Sequence, residues 1–203
     1  NMRAVILISG NGSNLQSIID SSDKINLKIC CVLSNKENAF GLIKAKNAQI
    51  NFSFIDPLLF ESKLTYDQEL ISIIDSYEAE LIILAGYMRI LSGPFITRYF
   101  GKILNIHPSL LPKYPGLDTH QRAIDNRENE HGASVHFVTK KLDGGPVICQ
   151  ELVTVESSDD AETLSSKVLK KEHILYPRVI HWYTQNRLKL IDENTVTLEG
   201  NIL

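Results

Sequence analysis

The 203-residue sequence lacks a long hydrophobic run and lacks any excess of basic residues. Its most apolar segment, Leu81–Gly86, is far shorter than the roughly 20 residues that cross a membrane as a helix. With 21 Lys and Arg against 24 Asp and Glu, the formal net charge is −3, and the basic residues form no cluster. We therefore expect small-molecule partners, with no membrane and no nucleic acid, because phosphate backbones are bound by concentrated positive charge.

Cysteine is scarce as well. Cys30 and Cys31 are adjacent in an apolar segment, and Cys149 stands alone. An odd count in this arrangement does not fit a disulfide framework, and adjacent cysteines in a strand point to opposite faces. Reactive thiols are the alternative, but small core residues in a reducing compartment are the better interpretation. Since the N-terminal segment also has no secretion-signal pattern, we expect a cytoplasmic protein.

Strand and helix patterns alternate through the first half of the chain. The intervening segments have helical periodicity, and in the longest of them Leu70, Ile71 and Ile74 fall on one face. Near-continuous apolar strands separated by helices indicate an α/β fold with a mostly parallel, doubly wound, Rossmann-like sheet. The predicted strands are Arg3–Ser9, Leu27–Ser34, Asn51–Ile55, Leu81–Ala85 and Lys102–His107.

The pattern changes after residue 130. Gly132–Thr139 and Pro146–Val155 predict an antiparallel hairpin. We expect this hairpin, from the C-terminal half of the chain, to extend the parallel sheet. A long helix is expected from about Ala161 to Asn186, with a kink at Pro177, followed by a short terminal hairpin. No segment has the composition of a linker, so residues 1–203 are predicted to form one domain.

Glycines follow the first predicted strand. The segment "SGNGSN", Ser9–Asn14, leads into a helix for which Ser13 is the predicted N-cap. Glycines let the backbone approach a ligand, and a helix N-terminus favours an anion such as phosphate. The spacing is not that of a dinucleotide-binding loop, because Leu15 stands where a third glycine is needed, and no Gly-Lys-Ser/Thr of a P-loop follows. A tight turn without a ligand is the alternative.

An amide and an imidazole stand side by side at the end of the fifth predicted strand. In "ILNIHPSLLPKYPG", Asn105 and His107 are two residues apart, so both point to the same face of the sheet. The prolines that follow impose an extended, irregular course that suits the wall of a site. A hydrogen-bonded core histidine next to a turn-forming asparagine is the alternative.

Asp143 precedes two glycines in the turn of the predicted hairpin. An Asp-Gly pair is common in tight type I′ turns, which explains the sequence without any function. On the functional interpretation, Gly144 and Gly145 let the backbone press against the site and aim Asp143 at His107.

An Asn, a His and an Asp suit direct acyl transfer. The amide can donate to an oxyanion, the imidazole can act as donor or general acid, and the carboxylate can raise the pKa of the imidazole. No serine or cysteine stands beside a base, so the nucleophile would come from a second substrate such as an amine. No zinc-type spacing links the histidines, and we expect no metal. The histidines considered are His107, His120, His131 and His136.

Five motifs, in this order along the chain, resemble the phosphoribosylglycinamide formyltransferase family, the folate-dependent enzymes of purine biosynthesis. They are "LISGNGSNLQSIID", "ILAGYMRILS", "ILNIHPSLLPKYPGL", "EHGASVHFVTKKLDGGPVI" and "KEHILYPRVI". The resemblance implies transfer of a formyl group from 10-formyltetrahydrofolate, as co-substrate, to the amine of glycinamide ribonucleotide. It also implies that about 1–100 form a nucleotide-binding half and about 101–203 a catalytic and folate-binding half, in a monomer or homodimer.

The resemblance also implies roles for particular residues. The catalytic set would be Asn105, His107 and Asp143. Ribonucleotide contacts would come from Gly12, Ser13, Asn14, Lys170 and Glu172. Folate contacts would come from Lys63, Met88, Arg89, Ile90, Leu91, Asn105, Thr139, Lys140, Lys141, Leu142 and Asp143. The chain departs from the family at Leu169, where a polar side chain is expected, and at Asp118, where many bacterial members have His.

Other functions compete with this one. A formyltetrahydrofolate deformylase would use the same three residues with water as the nucleophile, but those proteins usually carry a further N-terminal domain. A methionyl-tRNA formyltransferase would need a basic surface and a C-terminal domain. From a different class, the chain would be a catalytically silent nucleotide-binding module, against which the intact Asn-His-Asp set argues.

Overall fold

The computed structural model describes residues 1–203 and contains ten strands and six α-helices. The strands are β1 (Met2–Ile8), β2 (Leu27–Ser34), β3 (Asn51–Phe54), β4 (Leu81–Leu84), β5 (Ile103–His107), β6 (Glu130–Phe137), β7 (Val147–Thr154), β8 (Leu188–Asp192), β9 (Thr195–Leu198) and β10 (Asn201–Ile202). The helices are α1 (Ser13–Ser21), α2 (Phe40–Asn47), α3 (Lys63–Ser76), α4 (Gly93–Arg98), α5 (Thr119–Asp125) and α6 (Ala161–Thr184). None of the helices combines the length and the apolar character that a membrane span requires.

Seven strands form the main sheet, in the order β3-β2-β1-β4-β5-β6-β7. The pairs from β3 to β5 are parallel, whereas β6 and β7 are antiparallel to their neighbours. The terminal strands form a separate antiparallel sheet in the order β10-β9-β8. The predicted α/β class, the parallel sheet and the antiparallel extension are therefore confirmed.

Each face of the main sheet is covered by helices, because side chains of a strand alternate between faces. Ala4, Ile6 and Ile8 of β1 pack into the core that α1, α2 and α6 cover. Val5 and Leu7 point the other way, into the core beneath α3 and α4. The strands are apolar on both faces for this reason.

The strand order reverses between β1 and β4. The chain leaves β1 for β2 and β3 on one side, then returns to place β4 on the other. In open α/β sheets a crevice opens at such a switch point, beyond the carboxyl ends of the strands. The loops that follow β1 and β4 line a cavity there, and the loop after β5 leaves the same edge of the sheet.

Two local features differ from what the sequence indicated. The segment after the prolines contains the helix α5, which the sequence analysis missed. The hairpin of β6 and β7 has no tight type I′ turn, because residues 138–146 connect the strands. Asp143 is left-handed, with a φ of 49°, but Gly144 does not have a positive φ, and a type I′ turn centred on this Asp-Gly pair needs both. The longer connection forms part of the site. α6 stays helical through Pro177, and the kink there remains a prediction.

Candidate active site

The glycine-rich loop after β1 turns sharply into α1. Gly12 has a φ of 77° and is the N-cap, so the prediction that Ser13 caps the helix is wrong. No side chain caps this end; the left-handed turn at Gly12 places the first backbone N–H groups of α1 at the crevice instead. A Cβ at Gly12 would lie 2.7 Å from Cα of Gly41, whose N–H donates to the Gly10 carbonyl. The N-terminus of α2 thus supports the loop.

A cavity of about 260 Å³ lies between this loop and the loop after β4. Asn14 is buried at its edge, and its Nδ2 donates to Oε1 of Glu172 at 3.0 Å. The Oδ1 atom of Asn14 has no hydrogen-bond partner, so it is free to accept from a bound molecule. At the rim, Nζ of Lys44 donates to Oδ1 of Asn11 at 3.2 Å, while Lys170 is exposed. The cavity is lined by Ser9, Gly10, Asn11, Gly12, Ser13, Asn14, Ala85, Gly86 and Met88.

Glu172 is a buried carboxyl group on α6. Burial raises its pKa to about 7, and the hydrogen bond from Asn14 only partly offsets this effect. The carboxyl therefore changes its protonation state near neutral pH, next to the free Oδ1 of Asn14.

The raised pKa of Glu172 predicts a pH dependence of stability. The group has a pKa of about 4.5 when unfolded, so between that value and about 7 the folded state binds more protons. The free energy of unfolding should consequently fall as pH rises through this window, by roughly 3 kcal/mol in total. Glu172→Gln keeps an acceptor for Asn14 and should abolish this contribution.

Urea unfolding of the native protein and of Glu172→Gln, at pH 5 and at pH 8, measures this contribution to stability. The native protein should lose more stability between these pH values than Glu172→Gln does. Taking the difference between the two proteins cancels the contributions of the other titrating groups. Equal pH dependence in both would contradict a buried, titrating Glu172.

Ser9 connects the loop after β1 to the loop after β4. Its Oγ donates to Oδ1 of Asn35 and accepts from the backbone N–H of Met88 at 2.8 Å. The N–H of Ser9 also donates to the carbonyl of Gly86. Both walls of the crevice are thus held in one relative position.

The segment after β4 presents apolar side chains to solvent. Met88 and Ile90 are 66% and 58% exposed, whereas Leu91 is buried in the core beneath α3 and α4. The guanidinium of Arg89 lies over the ring of Tyr66, 4.3 Å from its centroid. Lys63 is exposed one turn before Tyr66 on α3. The structure therefore brings five of the predicted folate-binding residues to one region. One of the five, Leu91, has a buried side chain and so offers a ligand only its backbone.

Asn105 and His107 point to the same face at the end of β5, as predicted. The Nε2 atom of His107 lies 2.8 Å from the carbonyl of Tyr114. A carbonyl oxygen only accepts, so Nε2 carries the hydrogen of this bond. The other ring nitrogen, Nδ1, faces Oδ2 of Asp143 at 3.7 Å. His107 is 6% exposed, so its reactive side is sheltered from water.

Asp143 reaches His107 because the loop before β7 presses inward. Its Oδ2 accepts a hydrogen bond from the N–H of Gly116 at 2.8 Å. A Cβ at Gly145 would lie 1.9 Å from the carbonyl oxygen of Phe137, so only glycine permits this approach. The functional interpretation of the Asp-Gly-Gly segment thus agrees with the geometry. In the same loop Thr139 is buried, while Lys140, Lys141 and Leu142 are exposed.

Sequence reasoning missed several features of this site. Nδ2 of Asn105 lies 3.3 Å from Nε2 of His136 on the neighbouring strand. Nδ1 of His120 lies 3.1 Å from Nε2 of His131, and burial lowers the pKa of His131 to about 4. No group of three or more His, Cys, Asp or Glu side chains is placed to hold a metal ion. These pairings join different elements, and no local pattern signals them.

The arrangement combines an anion cradle with an acyl-transfer site. The cradle offers backbone N–H groups to an anion, and the free Oδ1 of Asn14 can accept from an N–H or O–H group of the same ligand. Beside it, Asn105 and His107 supply two donors, and Asp143 can stabilise a charged imidazole. The exposed apolar side chains of Met88 and Ile90 offer a surface for a flat, partly apolar ligand.

Comparison with known proteins gives a consistent result. Residues 2–180 match the formyl transferase family model. The chain is 50% identical over 204 residues to the phosphoribosylglycinamide formyltransferase of Escherichia coli (strain K12), covering 100% of this chain and 96% of that protein. It is 46% identical over 203 residues to the enzyme of the same name from Haemophilus influenzae, covering 99% and 95%. A solved structure of phosphoribosylglycinamide formyltransferase from Coxiella burnetii superposes with a TM-score of 0.96 at 45% identity, covering 100% of this chain and 95% of that one.

These relatives do not favour the hydrolase or the silent binding module. The family model spans most of the chain, and relatives that match along nearly their whole length share about half of its residues. The chain therefore belongs to the formyl transferase family and, within it, to the phosphoribosylglycinamide formyltransferases.

Proposed function

We propose that the protein transfers the formyl group of 10-formyltetrahydrofolate to the amine of glycinamide ribonucleotide, a step of purine biosynthesis. One observation carries this proposal: Nδ1 of His107 faces the carboxylate of Asp143 at 3.7 Å, on the same sheet edge as the glycine-rich cradle. A phosphate and a reacting acyl group can therefore be held at the same time. The names of the relatives supply the substrate class.

The ribonucleotide is proposed to bind at the cradle. Its phosphate accepts from the backbone N–H groups of Gly12, Ser13 and Asn14 at the start of α1. The glycinamide part extends towards Glu172, where the free Oδ1 of Asn14 and the carboxyl group can accept from an amine or amide. Lys170 is exposed near this end of α6 and remains a candidate for a phosphate contact.

The folate is proposed to bind between the loops that follow β4 and β6. Met88, Ile90 and Leu142 present exposed apolar surface, and the backbone of Arg89 and Leu91 offers polar groups. Thr139 and Asp143 flank this region. Lys63, Lys140 and Lys141 are exposed cations that suit the carboxylates of a glutamate tail.

In the proposed mechanism the amine attacks the formyl carbon directly, and no residue of the chain acts as the nucleophile. Asn105, through Nδ2, and His107, through a protonated Nδ1, donate to the oxyanion that develops. Asp143 stabilises the imidazolium and accepts the proton that the amine loses. That proton then passes to the departing nitrogen, so the transfer is neutral overall.

One assay tests the proposed function. The protein is mixed with 10-formyltetrahydrofolate, with and without the ribonucleotide, and the absorbance of the folate is followed. Turnover that depends on the amine is expected. Equal turnover without the amine would identify a hydrolase, and no turnover would identify a binding module; either result would overturn the proposal.

Lys44 offers a sharper test of where the phosphate lies. It is half-buried, its Nζ lies over the ring of Phe40 and it donates to Asn11 of the cradle. Lys44→Ala should weaken ribonucleotide binding roughly fivefold, or about 1 kcal/mol, and less at high salt. Lys46→Ala is the matched control, because Lys46 is exposed on the same helix and, two residues after Lys44, points to a different side of it.

Calorimetric titration of the two variants and of Lys170→Ala, at low and high salt, provides the measurement. If Lys46→Ala lost as much ribonucleotide affinity as Lys44→Ala, the effect would come from the general charge of the surface and not from a contact of Lys44. A loss confined to Lys170→Ala would assign the contact to that residue instead.

We further propose that residues 1–203 act as one domain, with about 1–100 binding the nucleotide and about 101–203 carrying catalysis and folate binding. A cytoplasmic location and a monomer or homodimer belong to the same proposal. The three free cysteines support a reducing compartment. Sedimentation analysis distinguishes the two oligomeric states.

A further inference from the structure

We propose that His136 is a positioning residue that holds the amide of Asn105 in the one orientation that can stabilise an oxyanion. The inference rests on the proposed function, because it assigns a task to Asn105 in acyl transfer. His136 lies directly opposite Asn105 in the antiparallel pairing of β5 and β6. It is 2% exposed and is therefore not itself available to a substrate.

The hydrogen bonds of His136 define its tautomer. Nδ1 lies 2.9 Å from the backbone carbonyl of Phe137, which can only accept, so the ring hydrogen is on Nδ1. Burial lowers the pKa of His136. The hydrogen bond to the carbonyl of Phe137 and the carboxylate of Asp143 oppose this effect without cancelling it, and His107 lowers the pKa further. The ring is thus neutral, and Nε2 presents a lone pair.

That lone pair selects one orientation of the Asn105 amide. Nδ2 of Asn105 lies 3.3 Å from Nε2 of His136 and donates to it. If the amide were rotated by half a turn, Oδ1 would face the same lone pair, and two acceptors would repel each other. Without His136 the two orientations would be close in energy, because the atoms of an amide group are nearly the same size.

The selected orientation leaves one amide hydrogen for catalysis. An Asn Nδ2 group has two hydrogens, and His136 takes only one of them. Nδ2 has no further partner, so the second hydrogen is available to the oxyanion, on the same face as His107. In the rotated amide, Oδ1 would occupy that position and would repel the developing negative charge.

The strand geometry supports this role. The pairing of β6 with β7 shifts register between Val135 and His136, and such irregularities re-aim side chains next to active sites. The ring of His136 points Nε2 at Asn105, and the hydrogen bond from Nδ1 to the carbonyl of Phe137 keeps the ring from turning. The ring thus has a fixed donor on one side and a fixed acceptor on the other.

Three variants test the proposal. His136→Leu removes the acceptor, and kcat should fall by about 10- to 100-fold, up to the effect of losing one oxyanion donor. KM for both substrates and the shape of the pH–rate profile should stay unchanged, since no titrating catalytic group is lost. His136→Gln supplies an acceptor near the position of Nε2 and should recover most of the rate.

The double variant Asn105→Ala/His136→Leu distinguishes positioning of the Asn105 amide from a general disturbance of the structure. With the amide already absent, the additional effect of His136→Leu on kcat should be less than about threefold. An additive loss would show that His136 acts through something other than Asn105. An unchanged kcat in folded His136→Leu would likewise overturn the proposal.

A measurement without any substitution covers the case in which His136→Leu does not fold. ¹⁵N NMR of the imidazole nitrogens of the native protein reports the tautomer of His136 directly. Protonated Nδ1 and unprotonated Nε2 are expected at neutral pH; protonated Nε2 would overturn the inference. This readout is independent of turnover, so failure of the proposed function would leave it unaffected.

Discussion

Replacing His107 by alanine should lower the rate of formyl transfer by about 10²- to 10⁴-fold while both substrates still bind. Nδ1 is the ring nitrogen of His107 that is left for proton transfer, because Nε2 is engaged by the carbonyl of Tyr114 while Nδ1 faces Asp143. The side chain is nearly buried but does not line the anion cradle. Its loss should therefore appear in kcat and leave the ribonucleotide affinity intact.

The carboxylate of Asp143 acts through this imidazole, so the two effects should overlap. Asp143→Asn retains the size of the side chain and an oxygen for the N–H of Gly116, and asparagine tolerates the left-handed φ of 49°. Asp143→Asn alone should be severely impaired, yet His107→Ala/Asp143→Asn should be little slower than His107→Ala. Pre-steady-state rates and substrate titrations of all three proteins provide the measurement.

His181→Ala is the matched control for the loss of an imidazole. His181 lies in the last turn of α6, outside the crevice, and the variant should retain the native rate. A double variant as slow as the product of its single variants would show that His107 and Asp143 work independently, contrary to their geometry.

Replacing Gly12 by valine should reduce ribonucleotide affinity by at least about 100-fold and leave folate affinity almost unchanged. A branched residue at a φ of 77° costs of order 1–3 kcal/mol, and its Cβ would also lie 2.7 Å from Cα of Gly41. The loop must move to relieve this contact, which displaces the N–H groups that are proposed to hold the phosphate. Ser13→Ala should cost only about 1 kcal/mol, for one lost hydrogen bond.

Gly10→Ala is the control within the same loop. Gly10 has no positive φ, and a Cβ there would meet no protein atom within 4 Å, so this variant should fold without strain and lose much less ribonucleotide affinity than Gly12→Val. Each variant is titrated separately with ribonucleotide and with a folate analogue. Equal loss of both ligands in Gly12→Val would indicate misfolding, and normal ribonucleotide affinity would place the phosphate elsewhere.

The hydrogen bonds of Ser9 bear on both the ribonucleotide and the folate titrations of Gly12→Val. Ser9 precedes the cradle and accepts from the N–H of Met88, so the two proposed binding regions are joined by one hydrogen-bonded side chain. A variant that shifts the loop after β1 by a large distance would pull on the segment after β4 through this bond. Folate titration of Gly12→Val therefore also reports whether a shift of the loop after β1 is transmitted to the segment after β4.

Local features of the chain were predictable because they depend on local periodicity. Apolar runs of strand length between helical segments indicated a sheet covered on both faces, and β1 packs into both cores as expected. The two-residue spacing of Asn105 and His107 was sufficient to place both on one face. The glycines of the first loop and the "LDGGP" segment marked where the backbone turns or approaches closely. Family motifs added the residue roles.

The sequence by itself thus determined the α/β class, the positions of most strands and helices, and the chemical types at the site. Only the tertiary structure decided which distant groups meet. Asn14 and Glu172 are 158 residues apart, and their contact depends on how α6 packs against α1. The approach of Asp143 to His107 depends on an irregular loop, and the pairing of Asn105 with His136 depends on the register of two antiparallel strands. Periodicity in one segment specifies which face a side chain takes, but strand order and register follow from the packing of the whole chain.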